Sequence, residues 1–196
     1  MFRSASILSA IIAAPVFAAC PEEGDSQKGI IAEWIRSPIV WEHKPHGHGS
    51  VITIGVENTP EKAILTRFHA HPLLPVELFM GNGFGARREY AQPVQELDQL
   101  DELGAWRSSF VEKSHDGLTT GLVTAEFRKH RFERVGPCRY KVWEVFVLMT
   151  PEGASETTTR MLYSPELRLV LREGSSAGAS IPQFRHAFDN LRVVHE

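Results

Sequence analysis

Nine histidines occur in the chain, and five of them, His43, His46, His48, His69 and His71, are crowded between positions 43 and 71. Imidazole nitrogen is a good ligand for zinc or copper, and a His-x-His pair on a strand presents both rings on one face. His69 and His71 with His46 and His48 therefore make a candidate metal site, in which the glycines of His46-Gly47-His48-Gly49 let a loop fold over a Zn or Cu ion. The competing reading needs no ion. Alternation from Lys62 to His71 sets Leu65, Arg67, His69 and His71 opposite Phe68, and histidines on such a face are ordinarily solvated.

Other candidate chemistry is thinner. Trp34 and Trp41 offer large apolar area with one polar handle each, so they are candidates for a ligand-pocket wall, against the simpler reading as core. Gly81-Asn82-Gly83-Phe84-Gly85 lacks the Lys and Ser/Thr of a phosphate-binding loop. Ser114-His115-Asp116 are adjacent in sequence, which is not a catalytic triad, because alternate residues of an extended segment face apart. Asp98, Asp101 and Glu102 fit the wet side of a helix better than an acid–base pair. No catalytic residue and no resident cofactor emerge, and an enzymatic role is not indicated.

A chain of 196 residues fits one globular domain, and 42% hydrophobic with 23% charged residues excludes disordered and collagen-like classes. The net charge of -3 gives no basic field for nucleic acid. Arg3, the apolar run Ile7 to Phe17 and the small residues Ala18 and Ala19 have the layout of a secretory signal peptide over residues 1–18, leaving 19–196 as a single β-rich domain. The apolar run is too short to span a membrane, and no later segment is long enough to do so. The protein is expected in the periplasm or secreted. In that oxidising setting Cys20 and Cys138 are expected to form a disulfide. The alternative is a lipoprotein anchored through Cys20, since Phe17-Ala18-Ala19-Cys20 partly follows a lipobox.

Turn residues recur about every ten positions, which points to a mainly β fold: an antiparallel curved sheet or half-barrel with one or two short helices. Strands are expected at Ser50–Glu57, Lys62–His71, Val76–Met80, Leu118–Glu133, Arg139–Thr150, Thr157–Ser164 and Leu167–Glu173, with a turn at Asn58–Glu61. Leu97, Leu100 and Leu103, between Pro93 and Gly104, predict a short amphipathic helix. Gly174–Ser180 reads as a flexible loop before a closing segment Gln183–His195.

The run Val135-Gly136-Pro137-Cys138-Arg139-Tyr140-Lys141-Val142-Trp143, followed by Arg160-Met161-Leu162-Tyr163-Ser164-Pro165-Glu166-Leu167, resembles the end of periplasmic β-domains of the DUF3108 kind. It departs from them at Leu162, where an aromatic is usual, and at Arg168, where Gly is usual. The resemblance implies a curved, half-barrel-like sheet in the bacterial envelope and brings no catalytic signature. Together these observations point to a non-enzymatic envelope protein that binds a lipophilic small molecule or another envelope protein. A periplasmic metal-binding protein using the histidine cluster is the alternative.

Overall fold

A computed structural model describes residues 19–34, 39–47, 49–56, 65–74, 77–79, 87–114, 117–178, 180–184 and 186–194. The proposed signal segment, His48, the turn at 58–61 and the glycine run at 81–85 lie outside the described residues. The chain is mainly β, in two open antiparallel sheets. The first contains β1 (Ile30–Glu33), β2 (Ile39–His46), β3 (Gly49–Val56), β4 (Leu65–His69) and β5 (Glu77–Phe79) in sequential order, with the last strand, β13 (Asn190–Val193), added beside β1. The second is a meander of β6 (Arg87–Tyr90), β7 (Ala105–Ser114), β8 (Gly117–Val135), β9 (Cys138–Pro151), β10 (Thr157–Ser164), β11 (Leu169–Ala177) and β12 (His186–Ala187).

The expected helix forms over Val94–Gln99 as a 3-10 segment that passes into one turn of α-helix, α1 (Leu100–Leu103), and stops at Gly104 with φ 75°. Three-residue spacing matches the 3-10 repeat, so Leu97 and Leu100 stack and are both fully buried. The change to 3.6 residues per turn swings Leu103 away, and it is 52% exposed.

Residues 174–177 of the expected loop are instead the continuation of β11, where Ser175 and Ser176 pair with Thr159 and Thr158. Gly174 is required by crowding rather than by flexibility, because a Cβ there would lie 1.8 Å from the Gln183 carbonyl oxygen. The hairpin between β10 and β11 turns at Pro165–Arg168, and Arg168 adopts φ 51°, where glycine would sit without strain.

The strand β9 organises the packing. Its first half buries its even-numbered side chains Cys138, Tyr140 and Val142 with Ile30 and Ala32 of β1, Leu191 of β13, and Leu169 and Leu171. Its second half buries the odd-numbered Trp143, Val145 and Val147 with Leu97, Leu100, Trp106, Phe110, Met161 and Tyr163. The exchange of faces occurs near two register breaks, one where Arg128 is the extra residue of β8 against β9 and one where Leu171 is the extra residue of β11 against β10. A bulge adds local twist and bend, which turns one long strand from one core to the other.

Glu144 lies at this changeover, opposite Lys129 on one neighbour and Leu162 on the other. Its carboxylate is buried, and it accepts from Arg160 Nε at 2.7 Å and Arg131 Nη1 at 3.2 Å, with Lys129 Nζ at 3.7 Å. Burial alone would raise its pKa, but the hydrogen bonds and charges of Arg160 and Arg131 outweigh that and hold it below the usual carboxylate range.

Cys20 and Cys138 form a disulfide with Cα atoms 5.6 Å apart, spanning 118 residues of sequence. It ties the segment before β1 to the first residue of β9. The sulfur of Cys20 is therefore committed, which corrects the alternative of a thioether lipid anchor at that residue. A disulfide of this kind belongs to an oxidising, extracytoplasmic setting. Among the described residues no helix is long and apolar enough to cross a membrane.

Two stability outcomes are expected. Replacing both cysteines with alanine should lower the unfolding free energy in urea by about 2–5 kcal/mol. Unchanged stability would mean that the bond does not constrain the chain. Glu144→Ala should cost about 1.5–3 kcal/mol, the usual loss when hydrogen bonds to a charged group are removed. An effect below about 0.5 kcal/mol would remove Glu144 from its place at the changeover.

Candidate functional site

Where the two cores meet, the side chains leave a cavity of about 400 Å³. Leu169, Leu171 and Phe188 border it from one core, and Leu74, Val147 and Met161 from the other. The second sheet adds Met149, Thr159 and Arg172, and the first sheet faces them with a wall of its own. Trp41 and His43 of β2, Ser50 and Ile52 of β3, and Arg67 and His69 of β4 all line the space. Register explains why they converge: Ile52 stands opposite both His43 and Arg67, Ser50 stands opposite His69, and alternate residues share a face.

Both candidate tryptophans lie in this wall. Trp34 and Trp41 meet edge to face at 5.2 Å between ring centroids, and each packs on Phe188, at 5.3 and 5.7 Å. Arg67 places its guanidinium 5.1 Å from the centre of the Trp41 ring.

The histidines part company. His46 is exposed beside Phe68, with ring centroids 6.5 Å apart. Gly47, at φ 59°, turns the β2–β3 hairpin, and Gly49 lets β3 run against β4, since a Cβ there would lie 1.8 Å from the His69 carbonyl oxygen. These glycines are accounted for by the hairpin and its neighbour. His71 is fully buried: its Nδ1 accepts from the Leu73 amide at 3.2 Å, so its Nε2 carries the proton that Asp98 Oδ1 accepts at 3.3 Å. Both ring nitrogens are thus spent in fixing the turn after β4.

The solvated-face reading of His69 and His71 is corrected by this burial. Arg67 and His69 share a face as expected, but that face turns inward to the cavity. Among the described residues no group of three or more His, Cys, Asp or Glu side chains is arranged to hold a metal ion. Asp98 and Asp101 are not simply the wet side of a helix either. Asp98 also lies 3.6 Å from Arg168, and Asp101 lies 3.6 Å from His130.

His43 was in the histidine cluster but outside the proposed ligand set, and the structure makes it a wall residue with His69. Burial pushes the His43 imidazole down to about 3, helped by the nearby His69. Burial likewise takes His69 to about 4; its bond to Leu74 opposes the shift, while Arg67 and His71 add to it. Both rings are neutral near pH 7. His69 Nδ1 lies 2.9 Å from the Leu74 carbonyl, which can only accept, so Nδ1 holds the proton and Nε2 is a bare acceptor. That Nε2, His43 Nε2, Trp41 Nε1 and Arg67 Nε are all buried and without a hydrogen-bond partner among the described residues.

Charge in the wall is one-sided, with Arg67, Arg88, Arg168 and Arg172 against Glu173. Arg88 pairs with Glu112, Arg168 with Asp98 and Arg172 with Glu133. Arg67 pairs with no carboxylate among the described residues.

No family model, curated protein or solved structure gives this chain a significant match.

The two neutral imidazoles make stability depend on pH in a defined window. Their folded pKa values lie below the value of about 6.5 expected in the unfolded chain, so on acidification the unfolded chain takes up protons first. Their contribution is fully present above pH 6.5 and is lost as pH falls towards 4. For two such groups the loss between pH 6.5 and 5.5 is on the order of 2 kcal/mol, in a range where carboxylates remain ionised. Urea unfolding at these two pH values should show this drop in the wild type and about half of it in His43→Gln. A wild-type stability that is flat across the interval would contradict the buried, neutral state of these rings.

Proposed function

We propose that the protein is an exported, non-enzymatic binding protein whose cavity between the two cores holds a lipophilic small molecule. The observation that carries this reading is the cavity itself. Its size falls in the range of roughly 300–1,000 Å³ usual for small-molecule sites, and its mostly apolar wall includes a few convergent polar groups. A void of this size left empty would forfeit dispersion contacts along its whole lining. The disulfide supports export. The buried His71 imidazole and the half-exposed Asp98 carboxylate that it meets are consumed in shaping a turn, so they support architecture rather than catalysis.

Titration calorimetry with dodecanol, an uncharged chain with one hydroxyl, tests the reading. The wild type should bind it at a single saturable site. Met149→Trp, which fills the cavity from β9, should weaken binding at least tenfold while keeping the wild-type circular dichroism. Thr159→Phe on the neighbouring strand serves the same purpose if the first variant does not fold. Absence of saturable heat in the wild type, or undiminished binding in a folded cavity-filling variant, would overturn the proposal.

A further inference from the structure

We infer that the molecule held in this cavity is an amphipathic monocarboxylate, whose acid group sits on Arg67 and the indole N–H of Trp41. The inference rests on the cavity being a binding site and names the chemistry that it selects.

Two buried donors in the wall are unsatisfied among the described residues. Arg67 Nε and Trp41 Nε1 can only donate, both are buried, and neither has an acceptor among the described residues. Leaving such groups unpaired is costly, and more so where charge is involved. The two side chains are in contact, with the guanidinium carbon 5.1 Å from the indole ring centre. One acceptor group with two oxygens can therefore serve both. A guanidinium presents its donors in a planar fork that fits a carboxylate in two parallel bonds.

Charge counting narrows the class further. Of the four arginines in the wall, three stand beside Glu112, Asp98 and Glu133, while Arg67 has no carboxylate beside it among the described residues, because the wall's own Glu173 is on β11 of the other sheet and makes no ion pair with it. A single negative charge balances it. A doubly charged headgroup would leave one charge unmatched in a mostly apolar space, at high desolvation cost. A cationic or zwitterionic head would place a second positive charge beside Arg67.

The neighbouring acceptor refines the picture. His69 donates from Nδ1 to Leu74, so its Nε2 repels a carboxylate and receives a donor instead. A water molecule or a hydroxyl on the ligand fits that position. The acid group is thereby pushed towards Arg67 and Trp41, away from β4's end. The apolar body then lies against Ile52, Leu74, Val147, Met161 and Leu171, all of them lining the same space.

The test compares three ligands of one chain length, dodecanoate, dodecanol and dodecyltrimethylammonium, by calorimetry at pH 7.5, below their micelle-forming concentrations. Wild-type protein should bind dodecanoate at least tenfold tighter than dodecanol, and the ammonium compound more weakly than dodecanol. Arg67→Gln should abolish the preference, so that the variant binds dodecanoate no tighter than dodecanol. If Arg67→Gln does not fold, Trp41→Phe keeps the ring and removes the N–H, and should reduce the preference severalfold. Equal binding of dodecanoate and dodecanol, or a preference that survives Arg67→Gln, would overturn the acid assignment while leaving the cavity reading in place. Failure of all three ligands to bind would overturn both.

Discussion

The packing depends on one strand being asked to face two ways. β9 packs its even-numbered side chains through Val142 into one core and its odd-numbered side chains from Trp143 onward into the other. A regular strand between regular neighbours presents each face along its whole length. The register breaks on β8 and β11 supply the extra twist, and Glu144, held by Arg160 and Arg131, occupies the place where burial changes sides. A carboxylate is tolerated there because it is satisfied from both adjacent strands.

The cavity follows from this geometry. Two cores that diverge from a common strand cannot both be filled to their shared boundary, and the boundary is where Leu169, Leu171 and Phe188 face Leu74, Val147 and Met161. The first sheet closes the space with a face that is unlike an ordinary core face. It presents an arginine, two neutral imidazoles and an indole N–H where leucine or valine would pack more simply. Polar groups buried without partners lower stability, so their presence in one wall supports recognition rather than structure. The strained backbone at Arg168, in the same wall, fits that pattern.

Much of the architecture was legible because it is local. Thr157–Ser164 holds three threonines and a tyrosine, residues that favour strands, and is bounded by turn residues, and the strand occupies those residues. The helix followed from Leu97 and Leu100 between Pro93 and Gly104. The even cysteine count matched the disulfide. By contrast, β7 was not expected, because its buried face reads Trp106, Ser108, Phe110, and the serine interrupts the apolar alternation. β11 outran its apolar residues because Ser175 and Ser176 are paired by backbone register, which composition does not reveal. In the candidate site, Trp34 and Trp41 were legible as pocket residues, as their size and polar edge suggested. The direction in which the face of Arg67 and His69 points was not. Alternation tells which residues share a face, and only the position of the second core tells which face is inside. His43 was obscured for the same reason: its role depends on Ile52 and Arg67 lying across from it, two strands away in register.

Native mass spectrometry of the protein taken without detergent from the compartment where it accumulates tests the central claim most directly. A cavity with an unsatisfied guanidinium should arrive occupied, so the expected spectrum shows one small organic adduct per chain. Released on activation, that adduct should be detected as a singly charged anion with the mass of an apolar carboxylic acid. A chain that carries no adduct, or that carries only a metal ion, would contradict the cavity as the functional site.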